Sequence, residues 1–107
     1  MKLPKKDFEV KIGPFVYEVK YSQGVSDEGE CFGSTHNNRQ VIYLQPDLKR
    51  QKTEQTFIHE IMHACDWVSG LLYRYDSASK PTEEEVVREM SMVFYQVLTD
   101  NPKIFGR

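Results

Sequence analysis

Residues 56–67 read Thr-Phe-Ile-His-Glu-Ile-Met-His-Ala-Cys-Asp-Trp and contain the pattern His-Glu-x-x-His. In a helix with about 3.6 residues per turn, His59 and His63 lie on the same side, about 6 Å apart. One divalent ion can then bind both imidazoles, because Zn–N bonds are about 2.0–2.1 Å long. Glu60 lies about 100° further round the helix, where its carboxylate reaches a water on the metal more easily than the metal itself. The pattern therefore predicts a hydrolytic zinc site with Glu60 as general base.

The residues around this motif predict an amphipathic helix with the histidine pair on its polar side. His59, His63 and Asp66 share that side. The apolar stripe roughly opposite consists of Ile58, Ile61, Met62, Cys65 and Val68. Two exposed histidines on a surface helix are a simpler explanation, but a pair four residues apart that flanks a glutamate favours a metal site. Cys65 lies on the apolar stripe, so we expect it in the core rather than on the metal.

Length and composition indicate an ordinary globular protein. The chain has 107 residues, and we expect residues 1–107 to form a single domain. Hydrophobic residues make up 39% of the chain and charged residues 28%, as in typical globular domains. A formal net charge of −2 gives no general reason to expect nucleic acid or an anionic membrane as a partner.

The cysteines and the N-terminal residues bear on the compartment. Residues 1–6 contain no apolar targeting segment, and no window approaches the length of a membrane span. Without a signal peptide, Cys31 and Cys65 are expected to be free thiols in a reducing compartment. We therefore expect a cytoplasmic protein with no membrane partner. The sequence leaves the oligomeric state open.

Two pairs of strands are predicted in the first half of the chain. Apolar residues alternate in residues 8–21 on both sides of Gly13-Pro14, which is typical of a β-hairpin or of two consecutive strands. Residues 22–29 are polar and rich in glycine, as in a surface loop. Residues 31–35 and 40–44 are predicted to pair as a second hairpin, with turn residues at 36–39.

The second half of the chain predicts two helices. The first begins between Asp47 and Thr53, either of which is a possible cap, and ends near Gly70. Residues 71–80 are predicted to be a loop.

Thr82 and Glu85 form a predicted capping box at the start of the second helix, which runs to about Asp100 because Pro102 prevents continuation. The fold class is therefore predicted to be α+β, with a small antiparallel sheet followed by two packed helices.

A third metal ligand has to come from outside the motif, because a catalytic zinc site uses three protein ligands and one open position. If the second helix runs antiparallel to the first, Glu89 comes level with His63 and is the favoured third ligand. Glu85, one turn earlier, is the reserve candidate. Asp66 lies about 4.5 Å beyond His63 along the helix axis, too far to share an ion with His59. It is therefore predicted to orient a histidine or to anchor the next loop.

The motif helix, a second helix that carries glutamates and a preceding antiparallel sheet resemble the zincin-like metallopeptidases, and within them the gluzincins. The most similar group is the small phage and bacterial type related to the ImmA/IrrE metallopeptidases, whose His-Ala-x-Asp run corresponds to residues 63–66. Residues 95–102 also have the look of that group, and the resemblance covers about residues 31–102. Ile61 stands where glycine is common in the group, and residues 89–91 read Glu-Met-Ser where Glu-Ala-Asn is usual.

The resemblance implies a zinc-dependent endopeptidase that acts on a protein or peptide, with His59 and His63 as ligands and Glu60 as base. It also implies that a strand before the motif helix holds the substrate backbone in extended form, here within residues 31–35 or 40–44. Possible donors to the developing oxyanion are His36, Tyr43, Tyr73 and Tyr75.

Two other interpretations stay open. A zincin fold also suits a regulatory or protein-binding module with a structural or vestigial zinc site, and the short chain offers little material for a deep specificity pocket. A small metal-free domain is the third interpretation. An open fourth coordination position would indicate the enzyme, and a filled one the module. Purification without stoichiometric metal would indicate the metal-free domain.

Overall fold

Four strands followed by three helices make up the described part of the chain, in a computed structural model that describes residues 1–23, 32–70 and 82–106. The strands are β1 (Phe8–Ile12), β2 (Phe15–Tyr21), β3 (Gly33–His36) and β4 (Val41–Leu44). The helices are α1 (Arg50–Ser69), α2 (Glu83–Asp100) and the short α3 (Pro102–Phe105). The α+β class is confirmed. The predicted loop at 71–80 and most of that at 22–29 lie outside the described residues, as does Cys31.

The four strands form one mixed sheet in the order β1-β2-β4-β3. Both predicted hairpins are confirmed, because β1 pairs antiparallel with β2 and β3 pairs antiparallel with β4. The expectation of a wholly antiparallel sheet is wrong, since β2 and β4 run parallel. Alternation identifies strands and local hairpins, but it does not state which strands of two hairpins meet. Here β4 takes the inner position and leaves β3 at the edge, beside α1.

The first hairpin closes through a two-residue loop at Gly13 and Pro14. Gly13 has φ +60°, as the first central position of a type II′ turn requires. A Cβ at this position would lie 2.7 Å from Cγ1 of Val68, so the turn also packs closely against α1. Glycine is therefore needed there for two reasons, its backbone conformation and the space available.

One face of the sheet and one side of α1 enclose the core. The fully buried apolar side chains are Val10, Ile12, Tyr17, Val19, Ile42, Leu44, Phe57, Ile61, Ala64, Cys65 and Val97, with Ile104 close to that. The predicted apolar stripe of α1 is correct for Ile61 and Cys65 but wrong for Met62, which is 38% exposed. Phe57 and Ala64 are buried instead, because the helix turns the 57–61–64 side towards the sheet.

The predicted helix ends are correct, since α1 begins at Arg50, between Asp47 and Thr53. Gly70 ends α1 in the left-handed conformation, and Thr82 Oγ1 accepts a hydrogen bond from the Glu85 N–H at the start of α2. α2 ends at Asp100, and Pro102 starts the separate α3.

The predicted cap of α1 is wrong. The N-cap is Lys49, which makes no side-chain capping hydrogen bond. Asp47 lies outside the helix with φ +66°. Thr53 lies inside the first turn and donates from Oγ1 to the Lys49 carbonyl.

The outer edge of β1 is covered by a side chain. The Asn101 amide accepts a hydrogen bond from the Lys11 N–H and donates one to the Lys11 carbonyl, both at 2.8 Å. It also donates to the Val97 carbonyl at 2.7 Å. Asn101 thus pairs with β1 much as a neighbouring strand would, and ties the end of α2 to the sheet.

No helix in the described ranges is long and apolar enough to span a membrane.

Candidate metal centre

His59 and His63 lie on consecutive turns of α1 and converge at their Nε2 atoms. These two nitrogens are 3.2 Å apart, and the ring planes make an angle of 71°. Two nitrogens bound to one zinc ion in a tetrahedral site lie about 3.3–3.4 Å apart, given Zn–N bonds of about 2.0–2.1 Å. Both residues are exposed, so the pair can be reached from solvent. The separation of the two nitrogens is therefore close to that of two ligands on one metal ion, and without a metal it allows a hydrogen bond between the rings.

Glu60 lies beneath the histidine pair and is only 5% exposed. Thr35 Oγ1, on β3, donates a 2.7 Å hydrogen bond to Oε1 of its carboxylate. The other oxygen, Oε2, is 4.0 Å from Nε2 of His59. One carboxylate oxygen is thus held by the sheet while the other is directed towards the histidines. That orientation suits a base that receives a proton from a water beside the metal.

A glycine allows the edge strand to approach Glu60 this closely. A Cβ on Gly33 would lie 2.9 Å from Cγ2 of Thr56 and 3.1 Å from Cγ of Glu60. It would also lie 3.1 Å from the Tyr43 carbonyl oxygen on β4. Since contacts shorter than about 3.4 Å leave little room for a methyl group, only glycine lets β3 lie against α1 at this level.

The histidine pair opens into a groove between β3 and α1. A cavity of about 430 Å³ lies on one side of the pair, and its lining includes Asn37, Asp66 and Trp67. A second cavity of about 410 Å³ lies on the other side, and its lining includes Phe32 and Lys52. Both are lined by Gly33, His59 and Glu60, so the two cavities adjoin at the motif, and together they are called the groove. Two strands were expected to hold a substrate, one within residues 31–35 and one within residues 40–44. The edge strand β3 lines this groove, and β4 does not.

The structure does not bring the predicted third ligand to the histidine pair. Within the described ranges, no three His, Cys, Asp or Glu side chains are grouped so as to hold a metal. Glu89 lies half-buried on α2 with its Oε2 atom buried, and it lines neither cavity. Glu85 Oε1 accepts a hydrogen bond from Thr82 Oγ1 at the start of α2. The identity of the third ligand stays a prediction.

Of the other predicted site residues that the structure describes, Asp66 lines the groove, whereas His36 and Tyr43 do not. Asp66 lines the groove, although no hydrogen bond or ion pair among the described residues joins its carboxylate to either imidazole. His36 packs edge-on against Tyr43 with ring centroids 5.3 Å apart, and neither residue lines the groove. The structure therefore does not bring these two candidate donors to the histidine pair. Tyr73 and Tyr75 lie outside the described residues.

The sequence analysis missed the residues on the strand side of the groove. Thr35 lies in the predicted strand at 31–35, yet nothing in that stretch indicates Glu60 as its partner. Asn37 also lines the groove, and its Oδ1 accepts a 2.8 Å hydrogen bond from the buried Tyr17 hydroxyl. Burial, with a smaller contribution from Cys65, raises the pKa of Tyr17 to about 12, so the phenol stays protonated and able to donate. The feature of the sequence that could have indicated Asn37 was the polar turn after the strand, at residues 36–39.

Cys65 is confirmed as a core residue. Its side chain is fully buried among apolar neighbours, and burial raises the pKa of its thiol to about 12. Metal ligation and nucleophilic attack both require the thiolate, which is disfavoured at such a position.

Comparisons with protein-family models, with curated proteins and with solved structures found no match to this chain. The interpretation of the site therefore depends on its motif and its geometry.

Proposed function

We propose that the protein is a zinc-dependent metallopeptidase of the gluzincin type, in which His59 and His63 bind the metal and Glu60 is the general base. The observation that carries the proposal is the 3.2 Å separation of the two Nε2 atoms beside a buried carboxylate, whose Oε2 lies 4.0 Å from His59 Nε2. A hydrogen bond between the imidazoles also gives this separation, so the support comes from the pair and the carboxylate together. The groove along β3 adds support, because an edge strand can pair with an extended peptide.

The chain's own residues account for most of the proposed chemistry. Zinc bound at the pair would act as a Lewis acid on a water molecule and on the scissile carbonyl. Glu60 would take the proton from the water and pass it to the leaving amine. Thr35 would keep the carboxylate facing the histidines throughout, and β3 would hold the substrate backbone beside them. Glu89 remains the candidate third ligand, with Glu85 in reserve. We place the enzyme in the cytoplasm and in the small phage and bacterial group.

Zinc content and peptide cleavage, measured on the same variants, test this proposal. Wild-type protein should contain one zinc per chain by elemental analysis and should cleave peptides in an unbiased mixture analysed by mass spectrometry. Glu60→Gln should keep the zinc and lose cleavage by about 10²- to 10⁴-fold, the usual contribution of a general base. His59→Ala should lose both. Glu54→Gln, on the same helix but outside the groove, is the matched control and should behave as wild type.

A zincin-fold binding module is the second candidate, and one observation favours it. Among the described residues only two ligands converge, whereas a catalytic zinc site uses three. A module of this kind would bind a peptide in the groove without hydrolysing it. Zinc-loaded wild type that binds peptides but leaves the whole mixture uncleaved would favour the module and contradict the peptidase.

A further inference from the structure

One side of α1 carries charges of opposite sign at the two ends of the groove. Lys52, His59 and Asp66 are spaced by seven residues, nearly two full turns, so they lie on the same side of the helix. At about 1.5 Å per residue, Lys52 and Asp66 each lie about 10.5 Å from His59 along the axis. Lys52 lines one cavity and Asp66 the other. The histidine pair thus lies between a cation and an anion.

Neither charge is neutralised within the described part of the chain. The Lys52 ammonium lies 4.6 Å from the centroid of the Phe32 ring and 3.3 Å from Oε1 of Gln55, which are uncharged partners. The ion pairs between described residues include neither Lys52 nor Asp66. Among residues 1–23, 32–70 and 82–106, no opposite charge balances either of these two groove-lining side chains.

The order of these charges does not serve the helix. A helix is stabilised by anions near its N-terminus and by cations near its C-terminus. In α1 the cation Lys52 lies in the first turn and the anion Asp66 in the last, and the first turn contains no acidic residue. The arrangement therefore works against the helix dipole, so stabilisation of α1 does not explain it.

An extended peptide has the length needed to meet both charges. A strand advances about 3.2–3.4 Å per residue, so about 10.5 Å corresponds to three residues on each side of His59. Since β3 is the edge strand and lines the same groove, a peptide alongside it would run past both ends.

We propose that the groove selects an extended peptide with an acidic side chain at the Lys52 end and a basic side chain at the Asp66 end, about six residues apart. This inference rests on the proposed function for the location of the site. It adds the class of substrate, a charge-segregated segment, and names Lys52 and Asp66 as the residues that determine specificity.

Binding of three labelled nonapeptides to zinc-supplemented Glu60→Gln, which cannot hydrolyse them, tests the proposal. One peptide has lysine at position 2 and aspartate at position 8, the second has these two exchanged, and the third has glutamine at both. Fluorescence anisotropy at low salt should show one charged peptide binding about three- to tenfold tighter than the neutral one, as two exposed ion pairs allow. The preference should shrink at high salt. The charged peptide that binds more tightly shows in which direction the peptide runs along β3.

Charge reversal supplies the decisive control. The double variant Lys52→Glu, Asp66→Lys should prefer the other charged peptide, whereas Lys103→Glu, an exposed change in α3, should leave the preference unchanged. Lys52→Gln alone should weaken it, which provides a milder variant if the double one folds poorly. Equal binding of the three peptides, or a preference that survives reversal, would overturn the proposal. Charge-dependent binding without cleavage by wild type would overturn the peptidase instead, and cleavage without charge preference would overturn only this inference.

Discussion

Thr35 and Glu60 join the sheet to the motif helix through a 2.7 Å hydrogen bond from Oγ1 of the threonine to Oε1 of the glutamate. The pair is 25 residues apart in sequence, and the carboxylate is almost entirely buried. Because a buried carboxylate with no donor nearby is costly, this contact both satisfies Glu60 and determines which oxygen faces the histidines.

Thr35→Val keeps the shape of the side chain and removes the donor. We expect kcat for peptide cleavage to fall about tenfold to a hundredfold, because a hydrogen bond to a charged group contributes roughly 1.5–3 kcal/mol. KM and zinc content should change little. Thr35→Ser restores the hydroxyl and should recover most of the activity. If valine and serine at this position gave the same kcat, the hydroxyl would have no part in orienting Glu60.

Gly33→Ala should separate β3 from α1. The added methyl group meets Thr56, Glu60 and the Tyr43 carbonyl at 2.9–3.1 Å. Overpacking of this kind usually costs about 1–3 kcal/mol, and we expect that loss in the free energy of unfolding measured with urea. Ser34→Ala, on the neighbouring residue of the strand, is the control and should stay within about 0.5 kcal/mol of wild type. A fully stable Gly33→Ala protein would contradict the close packing of strand on helix.

Asn101→Ala should loosen the contact between α2 and β1. The substitution removes two hydrogen bonds to the Lys11 backbone and one to the Val97 carbonyl. We expect a loss of about 1–2 kcal/mol in the free energy of unfolding, since each exposed hydrogen bond contributes modestly. Faster amide exchange at Lys11 should accompany it, measured by NMR. Asn38→Ala, in the exposed turn after β3, is the control, and an equal effect at both asparagines would contradict the special role of Asn101.

Tyr17 predicts a loss of stability in alkali. Burial raises the pKa of its phenol from 10.0 to about 12 in the folded protein, so above pH 10 the unfolded chain gives up this proton more readily. The stabilisation is complete below pH 10 and is lost as the pH rises towards 12. Tyr17→Phe should make this part of the curve of unfolding free energy against pH less steep. Cys65 and Tyr21, whose pKa values burial also raises, should leave some slope.

Local periodicity made the centre of the site predictable. The spacing of His59, Glu60 and His63 implies their relative directions once the segment is helical, and the structure has all three on α1 as expected. Gly70 and Thr82 were predictable for the same reason, because caps depend on neighbouring residues. Alternation likewise identified the two hairpins.

Contacts between distant elements were not predictable. The parallel pairing of β2 with β4 and the hydrogen bond of Thr35 to Glu60 depend on how complete elements pack. Met62 was wrongly assigned to the buried side of α1. Apolar residues lie on several sides of this helix, and only the position of the sheet decides which side is buried. The third ligand is of this kind too, since it depends on the rotation and distance of α2.

Asn101 hydrogen-bonds to the outer edge of β1, so the two edges of the sheet differ. A strand from another molecule would have to displace Asn101 to pair with β1, whereas at β3 it would pair beside the histidines. Strand exchange between copies of the protein would therefore be directed to β3, where we propose that a peptide binds. On that proposal, self-association in concentrated solution should compete with peptide binding.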